Sequence, residues 1–523
     1  MGAGTAQPAR LGPEDAGPLF RDAFPGSRLV VVSNREPYEH RRRGDEIVTS
    51  RPAGGITSAL DPLLQAVGGV WIAWGSGNAD AEVTDSSGRI RVPVEAPRYT
   101  LRRIWLDRAD VRHYYLGFAN QFLWPLCHLR PNLTRLRSAD WARYRQVNRR
   151  FARAVLEEAR DGDAAIWFHD YHLALAPALV RAEAPEAALA HFWHIPWPPI
   201  EIFRVAPQAA DLLEGLLAND LVGLHVPQFV ENFLRCAQEI LGADVDLEQG
   251  TAVHRGRVTH VRAFPISIDV EEFERIATRE GADEECARLR ARYAPRDGQF
   301  GIGVDRMDYS KGLPEKLQAL DLLWERYPEF RERFSFVQVA VPSRTDIDAY
   351  DELTHQVERL AWDINDRWGT RRWRPVRLIK RSLPPERLAL LYRAADLCIV
   401  SSLQDGMNLV AKEFVASQVD GRGVLLLSQF AGAAEELDCA IEVNPYATED
   451  FAQRIRDALL MPAAERRTRM ERMRRSLRTI YDWLADVLQV WGDVIPTTDA
   501  GHVPPSAPRA PVLGARSPVR VDR

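Results

Sequence analysis

The chain has 523 residues, 46% of them apolar and 27% charged, and a formal charge of −5. At about 100–200 residues per domain this is material for two or three domains, and so near-neutral a balance argues against nucleic acid as a partner. No uninterrupted apolar run reaches the ~18–20 residues that cross a bilayer, so no membrane partner is expected either.

In chain order, residues 1–27 are rich in Gly, Ala and Pro without periodicity, and a disordered arm is expected there. They carry no apolar stretch behind a basic start, so no secretory leader is predicted. Short apolar runs then alternate with helical patterns. The runs lie at 29–32, 70–74, 165–168, 189–193, 221–226 and 261–264, and again at 300–304, 334–341, 376–379, 397–400 and 423–427. Helical spacing covers 140–160, 227–241, 313–326 and 346–367. Strand, helix, strand repeated in this way predicts parallel sheets covered on both faces.

A break falls at Phe264-Pro265-Ile266-Ser267-Ile268-Asp269, where an apolar run meets a proline before a fresh helix. The fold class is therefore read as α/β, with one doubly wound, Rossmann-like domain over 28–265 and a second over 266–475. Between them lies a cleft at the carboxyl ends of the strands, where such sheets bind ligands. The stretch 463–494, arginine-rich and then apolar around Trp483 and Trp491, reads as one long helix. Its part over 476–495 is expected to cross back onto the first domain. Six prolines between 496 and 518 predict a disordered tail over 496–523. Cys127, Cys236, Cys286, Cys398 and Cys439 are scattered and odd in number, which fits a reduced, cytoplasmic setting better than a disulfide framework.

Chemistry-bearing residues gather where strands end. Asp405-Gly406-Met407-Asn408-Leu409-Val410-Ala411-Lys412-Glu413 follows one run and opens a helix, aiming free amides and the positive helix end at an anion. Gly406 permits close approach, Asp405 suits sugar hydroxyls and Glu413 a ribose diol; the same residues also make an ordinary capped turn. The segment from Gly303 to Gly312 repeats the arrangement, with Arg306 and Lys311 placed to neutralise a diphosphate. Only Lys311, Lys316, Lys380 and Lys412 are lysine among 68 basic residues, and ammonium is not interchangeable with guanidinium at a phosphate.

In the first half, Ser33-Asn34-Arg35 and Pro52-Ala53-Gly54-Gly55-Ile56-Thr57 resemble a split phosphate loop. His169-Asp170-Tyr171-His172 and His194-Ile195-Pro196-Trp197 end two further runs. Tyr114-Tyr115-x-x-Phe118-x-Asn120-x-x-x-Trp124-Pro125 has helical spacing that serves core packing as well as a sugar ring. Pro342-Ser343-Arg344 sets another guanidinium at a strand end. Asp-x-Asp triplets at Asp161/Asp163, Asp244/Asp246 and Asp346/Asp348 are what 73 acidic residues give by chance, so no metal is assigned.

Together and in this order, these segments resemble the retaining trehalose-6-phosphate synthases, family 20 of the GT-B glycosyltransferases, from about residue 28 to 495. The resemblance implies a GT-B enzyme that moves glucose from a nucleotide-glucose to glucose 6-phosphate, giving α,α-trehalose 6-phosphate. Both are substrates, so no cofactor is implied, and homo-oligomerisation is left open. It implies that Arg306 and Lys311 contact the diphosphate, with Gly54 and Gly55 close by. Asp405 would hold donor hydroxyls, Glu413 the ribose, and the Asn408, Leu409 and Val410 backbone the phosphates. His194 would touch the donor sugar near the reacting centre. Arg35, Tyr115, Trp124, Tyr171 and Arg344 would cup the acceptor phosphate, with Asp170 near the acceptor hydroxyls. Two departures stand out: Gln404 and Ser401-Ser402 replace residues common in the family. The same motifs would also suit a sister synthase with another phosphorylated acceptor, such as glycerol 3-phosphate, or a pseudo-sugar-coupling relative. From a different class, a non-catalytic sugar-phosphate sensor would keep the same fold.

Overall fold

The computed structural model describes residues 10–51, 55–160, 163–344 and 346–495. The tail expected over 496–523, the first residues of the expected arm and Gly54 lie outside the described residues.

Two separate sheets form the body. In spatial order the first runs Asp244–Asp246, Thr251–His254, Arg257–Ala263, Leu221–Leu224, Ala188–Phe192, Ala164–His169, Arg28–Val32, Val70–Trp74, Tyr99–Ile104 and Arg89–Val92. The second runs Val376–Ile379, Phe334–Val341, Gln299–Arg306, Leu397–Val400, Val424–Ser428 and Ile441–Val443, parallel throughout. Strand interiors such as Val30, Val31, Ile166 and Trp167 have no exposed surface, as expected where helices cover both faces.

Among the parallel strands, chain order reverses at one place in each sheet. In the first it lies between Arg28–Val32 and Ala164–His169, in register Val32↔Phe168. In the second it lies between Gln299–Arg306 and Leu397–Val400. Loops leave in opposite directions at such switch points and open a crevice at the carboxyl ends. The motifs Ser33-Asn34-Arg35, His169-Asp170, Arg306 to Lys311 and Ser401 to Asp405 all sit there.

Helix ends obey local chemistry. Pro227–Leu241 starts on a proline and stops at Gly242 in the left-handed conformation (φ 65°), the usual asymmetry of helix punctuation.

Three expectations need correction. Residues 10–27 are not a disordered arm: Ala16–Ala23 is a helix whose Phe20 is buried, and the Phe24 ring lies 4.6 Å from Trp491. Its apolar contacts are few and far apart in a Gly/Pro-rich stretch, so no periodicity announced it. The stretch 463–494 is not one helix but two, Ala463–Ser476 and Ile480–Val494. Thr479 and Asp482 form a reciprocal capping box that starts the second, and Thr479 bridges Ile268 in the other crossing between the sheets. Finally, the hairpin Glu39–Arg43/Glu46–Ser50 and the edge strands Arg89–Val92 and Asp244–Asp246 carry too much charge to read as apolar runs, and Thr251–His254 is too short and polar at its ends.

The helix Ile480–Val494 does reach back to the first sheet. Trp483 stacks on Trp167 at 5.6 Å and meets Phe192 edge-on at 5.1 Å.

Candidate active site

The second sheet presents a cation and an anion in contact. Lys311 Nζ donates to Asp405 Oδ2 at 2.6 Å, and both side chains are nearly buried. The same oxygen accepts from Ser402 Oγ and Asn408 Nδ2, each at 3.0 Å. Burial alone would raise the Asp405 pKa, but the Lys311 charge and these hydrogen bonds outweigh it and hold the carboxyl at about 2. Ser401 Oγ donates to the carbonyls of Lys311 and Gly312, so it ties the two loops together. Asn408 has φ 84° and caps Leu409–Ser417 by accepting from the Ala411 amide. The amides of Leu409 and Val410 are then the remaining donors of that first turn. Glu413 sits on the same helix, accepts from the Tyr392 hydroxyl at 3.0 Å, and is pushed up to about 7 by burial.

Arg306 faces the other sheet, its guanidinium 5.2 Å from the Trp124 ring centre, with no ion pair among the described residues. Arg344 shares that ring at 4.0 Å and spans the gap outright. It donates from Nη1 to Asp308 and from Nη2 to the Tyr171 hydroxyl, both at 3.2 Å, and also bonds Tyr350. Tyr171 in turn donates to Asn120 Oδ1. His128 also stacks on Trp124, with ring centres 4.1 Å apart.

A π-helix over Val111–Leu123, not the expected α-helix, sets the spacing here; in it Asn120 Nδ2 reaches the carbonyl of Tyr115, five residues back. Tyr115 stacks on His172. Although burial opposes it, the Arg35, Arg344 and Arg306 charges hold the Tyr115 phenol below its ordinary pKa. Arg35 is the exposed member; its carbonyl accepts from Ser33 Oγ, itself fixed by the Trp71 indole. Buried donors at Trp124 Nε1, Arg344 Nε and Asn34 Nδ2 have no partner among the described residues. Unpaired buried donors are rare unless a ligand satisfies them.

Asp170 and His194 end neighbouring strands of the first sheet. Asp170 holds φ 71° and ψ 167°, a region that is nearly glycine-only and costs about 1–3 kcal/mol. Burial raises its carboxyl to about 6, against the Tyr171 and His194 amides and the more distant Arg35 and Arg344. His194 contacts His169 through its ring and His225 through its carbonyl, both at 3.1 Å. Burial first, and then its histidine neighbours, drive its pKa well below 6.5. Gly406 comes from the second sheet to meet it: a Cβ there would lie 2.7 Å from the His194 carbonyl oxygen.

The structure thus brings Arg306, Lys311, Asp405, Asn408, Arg344, Trp124, Tyr171, Tyr115, Arg35, Asp170 and His194 to one gap. Glu413 stands apart on its helix, and Gly55 opens the helix Gly55–Val67. Sequence reading missed Asp308, Tyr350, Asn120, His128 and His169 as parts of the site. Their signal was present, because each lies in or beside a motif or follows the strand end at Arg344.

No helix among the described residues is long and apolar enough to cross a membrane, and none of their His, Cys, Asp and Glu side chains form a group of three that could hold a metal. The sequence and the fold both have relatives. The glycosyltransferase family 20 model matches residues 27–491. The alpha,alpha-trehalose-phosphate synthase [UDP-forming] of Pichia angusta is 37% identical over 457 residues, covering 85% of this chain and 94% of its own. The E. coli trehalose-6-phosphate structure bound with UDP-2-fluoro glucose superposes with a TM-score of 0.79 at 33% identity, covering 89% of this chain and 99% of that one. The Burkholderia xenovorans synthase in complex with glucose-6-phosphate gives 0.78 at 32% identity, over 89% and 100% of the two chains. With matches over most of its length, and with motifs at the switch points of two facing sheets, this chain belongs to glycosyltransferase family 20 and has its GT-B fold.

Proposed function

We propose that the protein is a retaining glucosyltransferase that moves glucose from UDP-glucose to glucose 6-phosphate and releases α,α-trehalose 6-phosphate and UDP. The observation that carries this reading is the pair of guanidiniums, Arg306 and Arg344, on the Trp124 ring, with the Lys311–Asp405 pair behind one of them and Tyr171 behind the other. Two cations sharing one ring suit two anionic substrates, a diphosphate donor and a phosphorylated acceptor.

On the donor side, Arg306, Lys311 and the Leu409 and Val410 amides take the diphosphate, with the start of the helix Gly55–Val67 facing it. Asp405 takes glucose hydroxyls, Glu413 the ribose diol and His194 the sugar near its anomeric carbon. On the acceptor side, Arg35, Tyr115, Trp124, Tyr171 and Arg344 take the phosphate and Asp170 the hydroxyls. The acceptor O1 attacks C1 on the face the diphosphate leaves: the C1–O bond to the nucleotide breaks, the new C1–O1 bond forms, and the hydroxyl proton passes to a departing phosphate oxygen. Positioning and charge stabilisation carry the rate.

We further place the domain boundary at residues 264–269 and the reaction in a reducing cytoplasm, in keeping with five free cysteines. Both subsites come from one chain, so this reading requires no second copy.

The test is incubation with UDP-, GDP- and ADP-glucose against glucose 6-phosphate and glycerol 3-phosphate, with the product linkage read by NMR. Trehalose 6-phosphate from UDP-glucose is expected. Transfer to glycerol 3-phosphate alone would replace the acceptor, and tight binding without nucleotide release would make the protein a sensor.

A further inference from the structure

We infer that His169 is a positioning residue that holds the His194 imidazole with its proton on Nδ1, so that His194 offers the cleft a hydrogen-bond donor. The inference rests on the proposed placement of His194 against the donor sugar and adds to it the proton's location.

His169 closes the strand Ala164–His169, and its register partner on the next strand is Phe192, two residues before His194. The two carboxyl ends therefore set the rings side by side, with centres 5.4 Å apart and planes 27° from parallel. His169 Nδ1 lies 3.1 Å from His194 Nε2. A neutral imidazole has one donor and one acceptor, so one proton lies between these two atoms. Both rings are neutral, because burial first, and then the neighbouring histidines, drive their pKa values well below 6.5.

Two arrangements satisfy that contact. If His194 donates from Nε2, His169 must carry its own proton on Nε2. That atom is buried, on a ring with no exposed surface, and has no partner among the described residues. A buried donor N–H left without a partner costs its full desolvation penalty. If His169 instead donates from Nδ1, its Nε2 is a bare acceptor and the orphan N–H disappears. The proton of His194 then sits on Nδ1.

The rest of His194 is already committed. Its Nε2 faces His169, and its carbonyl accepts from His225 Nε2 at 3.1 Å. Phe192 packs on its ring at 4.6 Å. No hydrogen bond to Nδ1 is found among the described residues and the residue is only partly buried, which leaves Nδ1 to address a ligand. A donor N–H there meets a sugar hydroxyl oxygen and leaves that hydroxyl's own proton free for another acceptor. The position of the proton on an imidazole follows from the bond its other nitrogen makes, and here that bond is supplied by His169.

The experiment is a long-range proton–nitrogen NMR spectrum of the full chain with ring-labelled histidine, with His194 assigned by its loss in His194→Gln. In the wild type His194 is expected with a protonated Nδ1 and a bare Nε2. In His169→Leu the proton should move to Nε2 and kcat should fall at least tenfold, with little change in the acceptor KM. His169→Asn, whose amide N–H replaces the Nδ1 donor, should restore both the tautomer and most of kcat. A wild-type His194 protonated on Nε2 would overturn the inference even if neither variant folds. So would His169→Leu with unchanged tautomer and rate. Adding UDP-glucose separates the two layers: if the His194 signals stay still, the placement against the donor fails while the tautomer assignment stands.

Discussion

Two carboxylates follow strand ends in the site, Asp170 on the first sheet and Asp405 on the second, and they are treated in opposite ways. Asp405 on the second sheet has Lys311 at 2.6 Å and three hydrogen-bond donors in all on one oxygen, every one from its own sheet. Asp170 on the first has no lysine or arginine in contact; His172 Nδ1 lies 3.7 Å away, on a ring that burial drives well below its ordinary pKa of 6.5. The cation on the acceptor side, Arg344, is balanced by Asp308 of its own sheet and by Tyr171 of the other. The Lys311–Asp405 cluster of the donor side is thus assembled locally, whereas the Arg344 contacts of the acceptor side exist only when both sheets are in place. Acceptor binding should therefore report on the angle between the domains more strongly than donor binding does.

Lys311→Ala tests the local half and should have the largest effect. It removes the charge facing the leaving diphosphate and strands Asp405 in the interior, and kcat should drop about 10³-fold, as for the loss of a preorganised electrostatic group. Losing one partner of a buried pair should also cost about 3–5 kcal/mol of stability, read as a lower midpoint in urea. Near-normal turnover would break the comparison at its donor end.

Arg344→Ala tests the shared half. Truncating a desolvated, hydrogen-bonded charge should raise the acceptor KM about 10²-fold. The donor KM should move far less, and equal losses for both substrates would mean the subsites are not built separately. Gly406→Ala comes next. Its Cβ would meet the His194 carbonyl at 2.7 Å, so the sheets must part by several tenths of an ångström. Since a 1 Å misplacement costs about 10²-fold, about tenfold in kcat is expected, with donor affinity largely kept.

The contrast between local and shared assembly also explains what the sequence discloses. Lys311 and Asp405 sit in contiguous motifs at strand ends, where an apolar run followed by Gly, Asp and Lys is readable letter by letter. The Arg344–Tyr171 bond joins residues 173 apart, and the His169–His194 contact joins residues 25 apart on adjacent strands. Such pairs follow from register, which no local pattern states. The central strands were legible because both faces are buried. The hairpin Glu39–Arg43/Glu46–Ser50 was not, because its exposed arginines hide the alternation. The break before Ile480 was written as Thr479-x-x-Asp482, a capping box outweighed by the helical composition around it.

The smallest expected effect is the one that reads the two carboxylates directly. Asp170 has its pKa raised from about 3.9 in the unfolded chain, so the native state binds the extra proton and stability declines as pH rises. The decline runs up to the native value of about 6. It amounts to at most on the order of 3 kcal/mol, from about 1.4 kcal/mol per pKa unit. Asp405 has the opposite sign: held at about 2, it adds stability above its unfolded pKa and loses it as pH falls. Of these two carboxylates only Asp170 titrates between pH 5 and 7, and its ionised form is the better acceptor for sugar hydroxyls. The acceptor kcat/KM should therefore rise a few-fold through pH 6, whereas any change in the donor KM should centre near 7, where burial places Glu413. Asp170→Asn should flatten the acceptor profile and remove the corresponding slope in urea stability. If that slope survives the substitution, another buried acid sets it, and Glu413, pushed up to about 7 by burial, is the next to replace.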